Sequence, residues 1–239
     1  MLVVCGSASA QFSNTTKTTS ASPAVGGQQK GVDGWNTFFI EYAPTKFNYD
    51  GDEDDDDELS MNTLSFGWRK AFGVSQKVPL FVETGLGISY SFNNEEDEDS
   101  DDDLSIKWKT NLLSLNIPVY LGYNFNLANG KIDLAPYLGV DLRVNLMGKQ
   151  KIEFGGEYAS EAEEYWEDMD MPTEWNLFDK DDMGGDNYTW KRFQAGWRIG
   201  ANATFSKKFT VGISYGSDFT EISKKTKTSS FRVTAGIRF

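Results

Sequence analysis

From Trp35 onward, apolar and polar residues alternate with a period of two, and the last segment shows it most fully. Phe231, Val233, Ala235, Ile237 and Phe239 fall on one face, and Arg232, Thr234, Gly236 and Arg238 on the other. A helix would mix these sets, so the segment reads as a strand with one apolar face. The alternation recurs over 80–92, 112–125, 132–146 and 190–205, where Phe193, Trp197, Ile199 and Phe205 oppose Arg192, Gln194, Arg198 and Thr204. Residues 59–72 and 209–218 follow suit, and 35–47 does so more weakly. Eight strands are predicted.

The connections alternate in length. Those near 73–78, 127–130 and 206–208 are short hairpin turns. Those near 48–57, 93–104, 148–188 and 219–227 are longer and mostly acidic. Long and short connections in alternation describe an up-and-down meander, with every short turn and both chain ends at the same end. Pro118 and Pro136 lie within strands although proline cannot donate to a ladder. Because they flank the 127–130 turn, a shared irregularity is expected there.

The polar face is rich in glycine and serine and carries opposite charges. Glu41, Glu83, Asp133 and Asp141 stand against Arg69, Arg143, Arg192, Arg198, Arg232 and Arg238. Eight strands enclose a space that side chains can fill, so these ten residues are expected to form an ionic network in the lumen of a barrel. The apolar face then meets lipid. Tyr42, Phe47, Tyr90, Phe92, Trp108, Trp190 and Phe219 fall toward the long-loop end. Phe72, Tyr123, Phe125, Phe205, Phe209 and Phe239 fall toward the short-turn end. Two aromatic girdles around an apolar band suit a bilayer.

The closing run Phe231-Arg-Val-Thr-Ala-Gly-Ile-Arg-Phe239 resembles the assembly signal of outer-membrane barrels, carried here by Phe231, Val233, Ile237 and Phe239. Leu115-Asn-Ile-Pro-Val-Tyr-Leu-Gly-Tyr123 and Pro136-Tyr-Leu-Gly-Val-Asp-Leu142 resemble segments of the Bacteroidetes-type outer-membrane β-barrel (porin-like) domain, within the OmpA/OmpX-like group. The resemblance covers roughly residues 35–239. It implies an all-β, eight-stranded antiparallel up-and-down transmembrane β-barrel in the bacterial outer membrane, with short periplasmic turns and long acidic extracellular loops. Its implied partners are outer-membrane lipid and the barrel-assembly machinery.

Composition sharpens this picture at the loops. Net charge is −13, and 29 of the 36 acidic residues lie in 50–58, 95–103 and 153–186, leaving the remainder mildly basic. The net charge argues against nucleic acid as a partner, since phosphate binding needs a basic patch. Residues 1–10 end in small residues at −3 and −1 and read as a signal peptide remnant cleaved after Ala10. Val4 precedes Cys5 where lipidation would need a small residue. Cleavage removes the single cysteine, so no disulfide framework is expected. Residues 11–33 read as a flexible periplasmic leader, and 34–239 as the barrel.

Candidate chemistry is sparse. The chain has no histidine, so the usual proton shuttle near neutral pH is missing, and neither enzymatic activity nor a cofactor is expected. Asp50, Asp52 and Asp54 have the spacing of a calcium loop's first ligands, but Asp55 stands where glycine is required and Met61 where the last ligand belongs. With Asp99, Asp101 and Asp103 they are weak candidates for divalent cations, set against self-repelling solvated loops. The 148–188 segment is long for a loop without structure. Tyr165, Trp166 and Trp175 among its carboxylates suggest a contact surface for an extracellular protein or glycan; the other reading is a loop folded over the barrel mouth. Three functional readings follow: a closed barrel displaying acidic loops for interaction or envelope stability, a small outer-membrane channel, and a soluble lipocalin-like ligand-binding barrel.

Overall fold

The computed structural model describes residues 31–50, 59–96 and 104–239. In chain order these form β1 (Trp35–Tyr49), β2 (Ser60–Gly73), β3 (Leu80–Glu96), β4 (Ser105–Tyr123), β5 (Phe125–Leu127), β6 (Ile132–Gly155), α1 (Ala159–Asp168), β7 (Glu174–Asn176), β8 (Phe193–Phe205), β9 (Phe209–Asp218) and β10 (Thr226–Arg238). Eight long strands pair antiparallel in the order β1-β2-β3-β4-β6-β8-β9-β10, and β10 pairs with β1 to close the ring. Phe239 completes the seam, exchanging two 2.9 Å backbone hydrogen bonds with Asn36. Closure leaves no free edge along the stretch where all eight strands pair, which a bilayer demands because lipid cannot satisfy backbone polar groups.

The period of two places apolar side chains outside. Phe38, Ile40, Phe66, Leu138, Ile199 and Ile213 are each between 55% and 61% exposed. A soluble ligand-binding barrel would point this set inward. The inward set is polar, with Ser65, Ser89, Ser214, Ser230 and Thr234 all buried. On β4 the lipid-facing stretch from Leu113 to Tyr123 spans eleven residues, within the roughly 9–11 that a tilted strand needs to cross.

Above Leu113 the pattern reverses. β4 and β6 extend well past the other strands, pairing from Ser105–Gly155 to Leu113–Met147, and a bulge at Leu146 shifts the register. Along this extension Leu112, Thr110 and Ile152 are buried on the inner face, while Lys149 and Lys151 stand outside. Water replaces lipid at this height, so the apolar side turns inward. The predicted loops 93–104 and 148–188 are therefore shorter than expected. The second contains the end of β6, then α1, then β7, which adds to the β6 edge.

Each strand proline interrupts one of its two ladders. The β3–β4 ladder skips from Thr84–Val119 to Gly87–Asn116 around Pro118, and the β1–β10 ladder from Tyr42–Val233 to Thr45–Ser230 around Pro44. Pro136 keeps its β8 partner Ala201, and the gap falls between β6 and β5. The expected shared irregularity is instead three separate ones, each where an amide donor is missing.

The base is sealed by Trp35, Ala71, Phe81 and Ala135, with Val32 packed against them. Residues 31–33, expected in a flexible leader, lie along the first short turn, where Gly31 donates to the Gln76 carbonyl at 2.9 Å. Residues 1–30, including the signal peptide remnant and most of that leader, lie outside the described residues.

Candidate functional site

Strand parity delivers charged side chains to the barrel axis from seven strands. Glu41 on β1 is paired from both sides: Arg198 lies 3.3 Å from each carboxylate oxygen, Arg69 3.5 Å and Arg232 3.7 Å away. Thr234 donates to it at 2.9 Å. Asp141 on β6 takes Arg198 Nε at 2.6 Å, Arg232 at 3.0 Å and the Tyr120 hydroxyl at 2.6 Å. Glu83 stands 3.6 Å from Arg69, an ion-pair separation. Pairing offsets the several kcal/mol that each buried charge loses on leaving water, although among the described residues Arg69 Nε and Nη1 find no hydrogen-bond acceptor.

Two further clusters flank this centre. Toward the base, Arg238 and Asn126 each reach Asp133 at 3.0 Å, and the Arg238 guanidinium lies 3.7 Å from the Trp35 ring centroid. Toward the mouth, Arg143 meets Asp218 at 2.6 Å and donates from Nε to Gln194 at 2.8 Å. Thr228 also bonds Asp218. Asp218, Gln194 and Tyr120 were absent from the expected set, although each has the parity of its strand's inward face. Arg192 is a correction. It precedes β8 and is exposed; it donates to the Leu146 carbonyl at 3.0 Å and covers the Phe178 ring at 4.4 Å. Without Arg192, five guanidiniums face five carboxylates.

Little space remains between these side chains. One cavity of about 50 Å³ runs from Arg69 and Tyr120 up to Ile222, and a second of about 20 Å³ lies between Arg69 and Arg238. Small-molecule sites typically enclose about 300–1,000 Å³.

The mouth is apolar where the chain rises out of lipid. Phe47, Met61, Leu112 and Ile222 form a buried cluster, with Leu59, Phe178 and Trp190 against it. Phe47 and Trp190, expected in the outer girdle, pack together inside at 5.3 Å. The segment after α1 is held down by backbone bonds: Leu177 donates to Gly148 at 3.1 Å, Trp190 to Leu177 at 2.7 Å and Lys191 to Ile222 at 2.6 Å. The predicted aromatic contact surface divides. Tyr165 is exposed, as are Tyr158 and Tyr188. Trp166 instead rests 5.4 Å from Phe154 and donates to the Pro172 carbonyl, and Trp175 stacks at 5.7 Å on Trp108, another side chain expected in the girdle. Both are half-buried and hold the cap together.

Outside this cap, α1 carries Glu161, Glu163, Glu164, Glu167 and Asp168, with no residue buried. Glu153 bonds Lys109 and lies 3.7 Å from Lys151; the Lys109 hydrogen bond holds its carboxyl below the usual glutamate range. A hydrogen bond to Asp186 raises Lys180 in the same manner. Asp50 is exposed and its amide donates to Lys225. The other cation candidates, Asp52, Asp54, Asp99, Asp101 and Asp103, lie outside the described residues. Among the described residues no three acidic or thiol side chains converge as a metal site.

The profile of the outer membrane protein beta-barrel domain family matches residues 42–224. No curated protein matches the chain. Similar solved structures include Ail, the attachment invasion locus protein of Yersinia pestis, in complex with the heparin analogue sucrose octasulfate. It is 17% identical over 87% of this chain and 100% of that one, with a TM-score of 0.37. Neisserial surface protein A is 13% identical over 85% and 95%, with a TM-score of 0.40. The outer membrane enzyme PagL is 14% identical over 83% and 98%, with a TM-score of 0.42. The family profile spans most of the chain and agrees with the closed eight-stranded ring and its apolar exterior. This chain therefore belongs to the outer-membrane β-barrel domain family and resides in the bacterial outer membrane.

Proposed function

We propose that this protein is a non-enzymatic barrel, closed along its axis, whose specific work is done by the acidic cap above its mouth. The observation that carries the reading is the change of polarity at Leu112–Leu113. The barrel is filled with paired charge below that point and with Phe47, Met61, Leu112, Ile222 and Trp190 above it. A molecule built to pass or process solutes would keep one of those regions open. Here both ends are packed, and α1 with Tyr158, Tyr165 and Tyr188 is presented to the exterior. Its carboxylates favour a cationic protein surface and disfavour sulfated glycans through like-charge repulsion.

Binding by the full chain in lipid nanodiscs tests this, with poly-L-lysine and heparin as probes. Salt-sensitive association with poly-L-lysine is expected, weakened when Glu161, Glu163, Glu164 and Glu167 become Gln, with none to heparin. Binding to neither probe, or to heparin alone, would sink the proposal.

The channel reading draws support from the two cavities that meet at Arg69. A continuous path would have to pass the Arg69–Glu41–Arg198 cluster, so stable conductance steps in planar bilayers are not expected. The absence of histidine supports the non-enzymatic reading.

A further inference from the structure

The fold is electrically lopsided. Its exterior cap is acidic, but the short-turn rim is not. Lys70, Lys77, Lys131, Lys207 and Lys208 all lie at that end, and each of the three short connections contributes at least one. All but Lys70 are exposed. No described carboxylate pairs with any of them. The carboxylates at this level, Glu83 and Asp133, are buried against Arg69 and Arg238, which leaves Asp33 as the exposed acidic side chain among the described residues.

Their height matters as much as their sign. Lys70 follows Trp68 on the lipid-facing side of β2, and its ammonium lies 5.2 Å from the Phe72 ring. Lys208 lies 5.8 Å from the Phe209 ring. Phe72, Phe125, Phe205, Phe209 and Phe239 are exposed around the same end, forming the aromatic layer that sits among headgroups. A lysine stem lying along apolar wall with its charge beside such a ring places the ammonium at phosphate depth. A surface for the cell-wall polymer would instead gather its charges on one downward patch. These five are spread around the circumference.

We infer that the lysine rim holds anionic phospholipid headgroups of the periplasmic leaflet, by their phosphates, as a shell around the base of the barrel. It does not depend on what the cap binds.

The test uses the full chain in phosphatidylcholine vesicles with trace spin-labelled phosphatidylglycerol or spin-labelled phosphatidylcholine. Electron spin resonance then reads the lipid fraction immobilised at the barrel wall. A preference for phosphatidylglycerol of about fivefold per occupied lysine site is expected, the factor that corresponds to about 1 kcal/mol per lysine. It should vanish when all five lysines become Gln, survive when they become Arg, and survive in a Lys180→Gln, Lys224→Gln, Lys225→Gln control at the other end. Should the five-Gln variant fail to give the folded gel band, Lys207→Gln with Lys208→Gln alone must still lower the preference. The inference is overturned by a wild-type barrel without preference, by a folded rim variant that keeps it, or by equal loss in the control. Lysine-dependent sedimentation with purified sacculi in the absence of lipid preference overturns it too.

Discussion

Arg198→Met removes the guanidinium that hydrogen-bonds both central carboxylates. Arg198 contacts Glu41 at 3.3 Å and Asp141 at 2.6 Å, and its side chain is 7% exposed. Removing one member of a buried ion pair costs about 3–5 kcal/mol, because a charge is left without compensation. Here some compensation persists: Glu41 keeps Arg69, Arg232 and Thr234, and Asp141 keeps Arg232 and Tyr120. The loss should therefore fall near the lower end, at about 3 kcal/mol. Adding Asp141→Asn should cost less than the sum of the two single changes, since the second substitution removes the charge that the first stranded. The assay is equilibrium urea unfolding in vesicles, followed by tryptophan emission and by the folded gel band. Arg192→Met is the internal control, as it touches carbonyls and a ring but no carboxylate, and should cost less than about 1 kcal/mol. Equal losses for Arg198→Met and Arg192→Met would refute the claim that axial pairing stabilises this barrel.

Gly122→Ala would place a methyl 2.2 Å from the Phe81 ring in the basal plug; overpacking should cost about 1–3 kcal/mol, and Phe81→Leu in the same chain should recover part of the urea midpoint. Phe178→Ala with Trp190→Ala should loosen the cap, so protease added to intact cells cuts within 156–192 faster while the heat-modifiable gel shift persists. The Glu153 carboxyl should titrate below the ordinary glutamate value of about 4.3 in carbon NMR, and Lys109→Met should return it upward. Because that carboxyl is held low in the folded state, its contribution is present above the ordinary range and is lost as pH falls through the lowered value. A Glu153 that titrates normally in the unmodified chain would show that the Lys109 pairing does not form.

The eight strands were legible because lipid on one side and packed charge on the other enforce a period of two over many residues. The inward partners were less so. Asp218 and Gln194 have the right parity, but a single polar residue at a strand end gives no sign of which charge it will meet. Arg192 has inward parity too, yet it precedes β8, where the ladder no longer fixes its direction. Phe47 shares the parity of Glu41 and so could be placed inside. Assigning it to the outer girdle followed aromatic type over position. The extension of β4 and β6 was missed because Lys107-Trp108-Lys109 alternates with the opposite sign from Leu113-Ser114-Leu115. The doublets Leu112-Leu113 and Leu146-Met147 mark the change, and adjacent apolar residues at a strand's phase reversal are its signal.

That reversal also means that one strand obeys two opposite rules of substitution. On β6, Leu142 and Lys149 both point away from the axis. A lysine at 142 would enter hydrocarbon at about 2–4 kcal/mol, whereas a leucine at 149 would present apolar surface to water and invite association between cells or proteins. A tolerance map averaged over the strand would miss both effects. Measured residue by residue, it should change sign at the Leu146 bulge, which makes the outer edge of the membrane readable from mutational data alone.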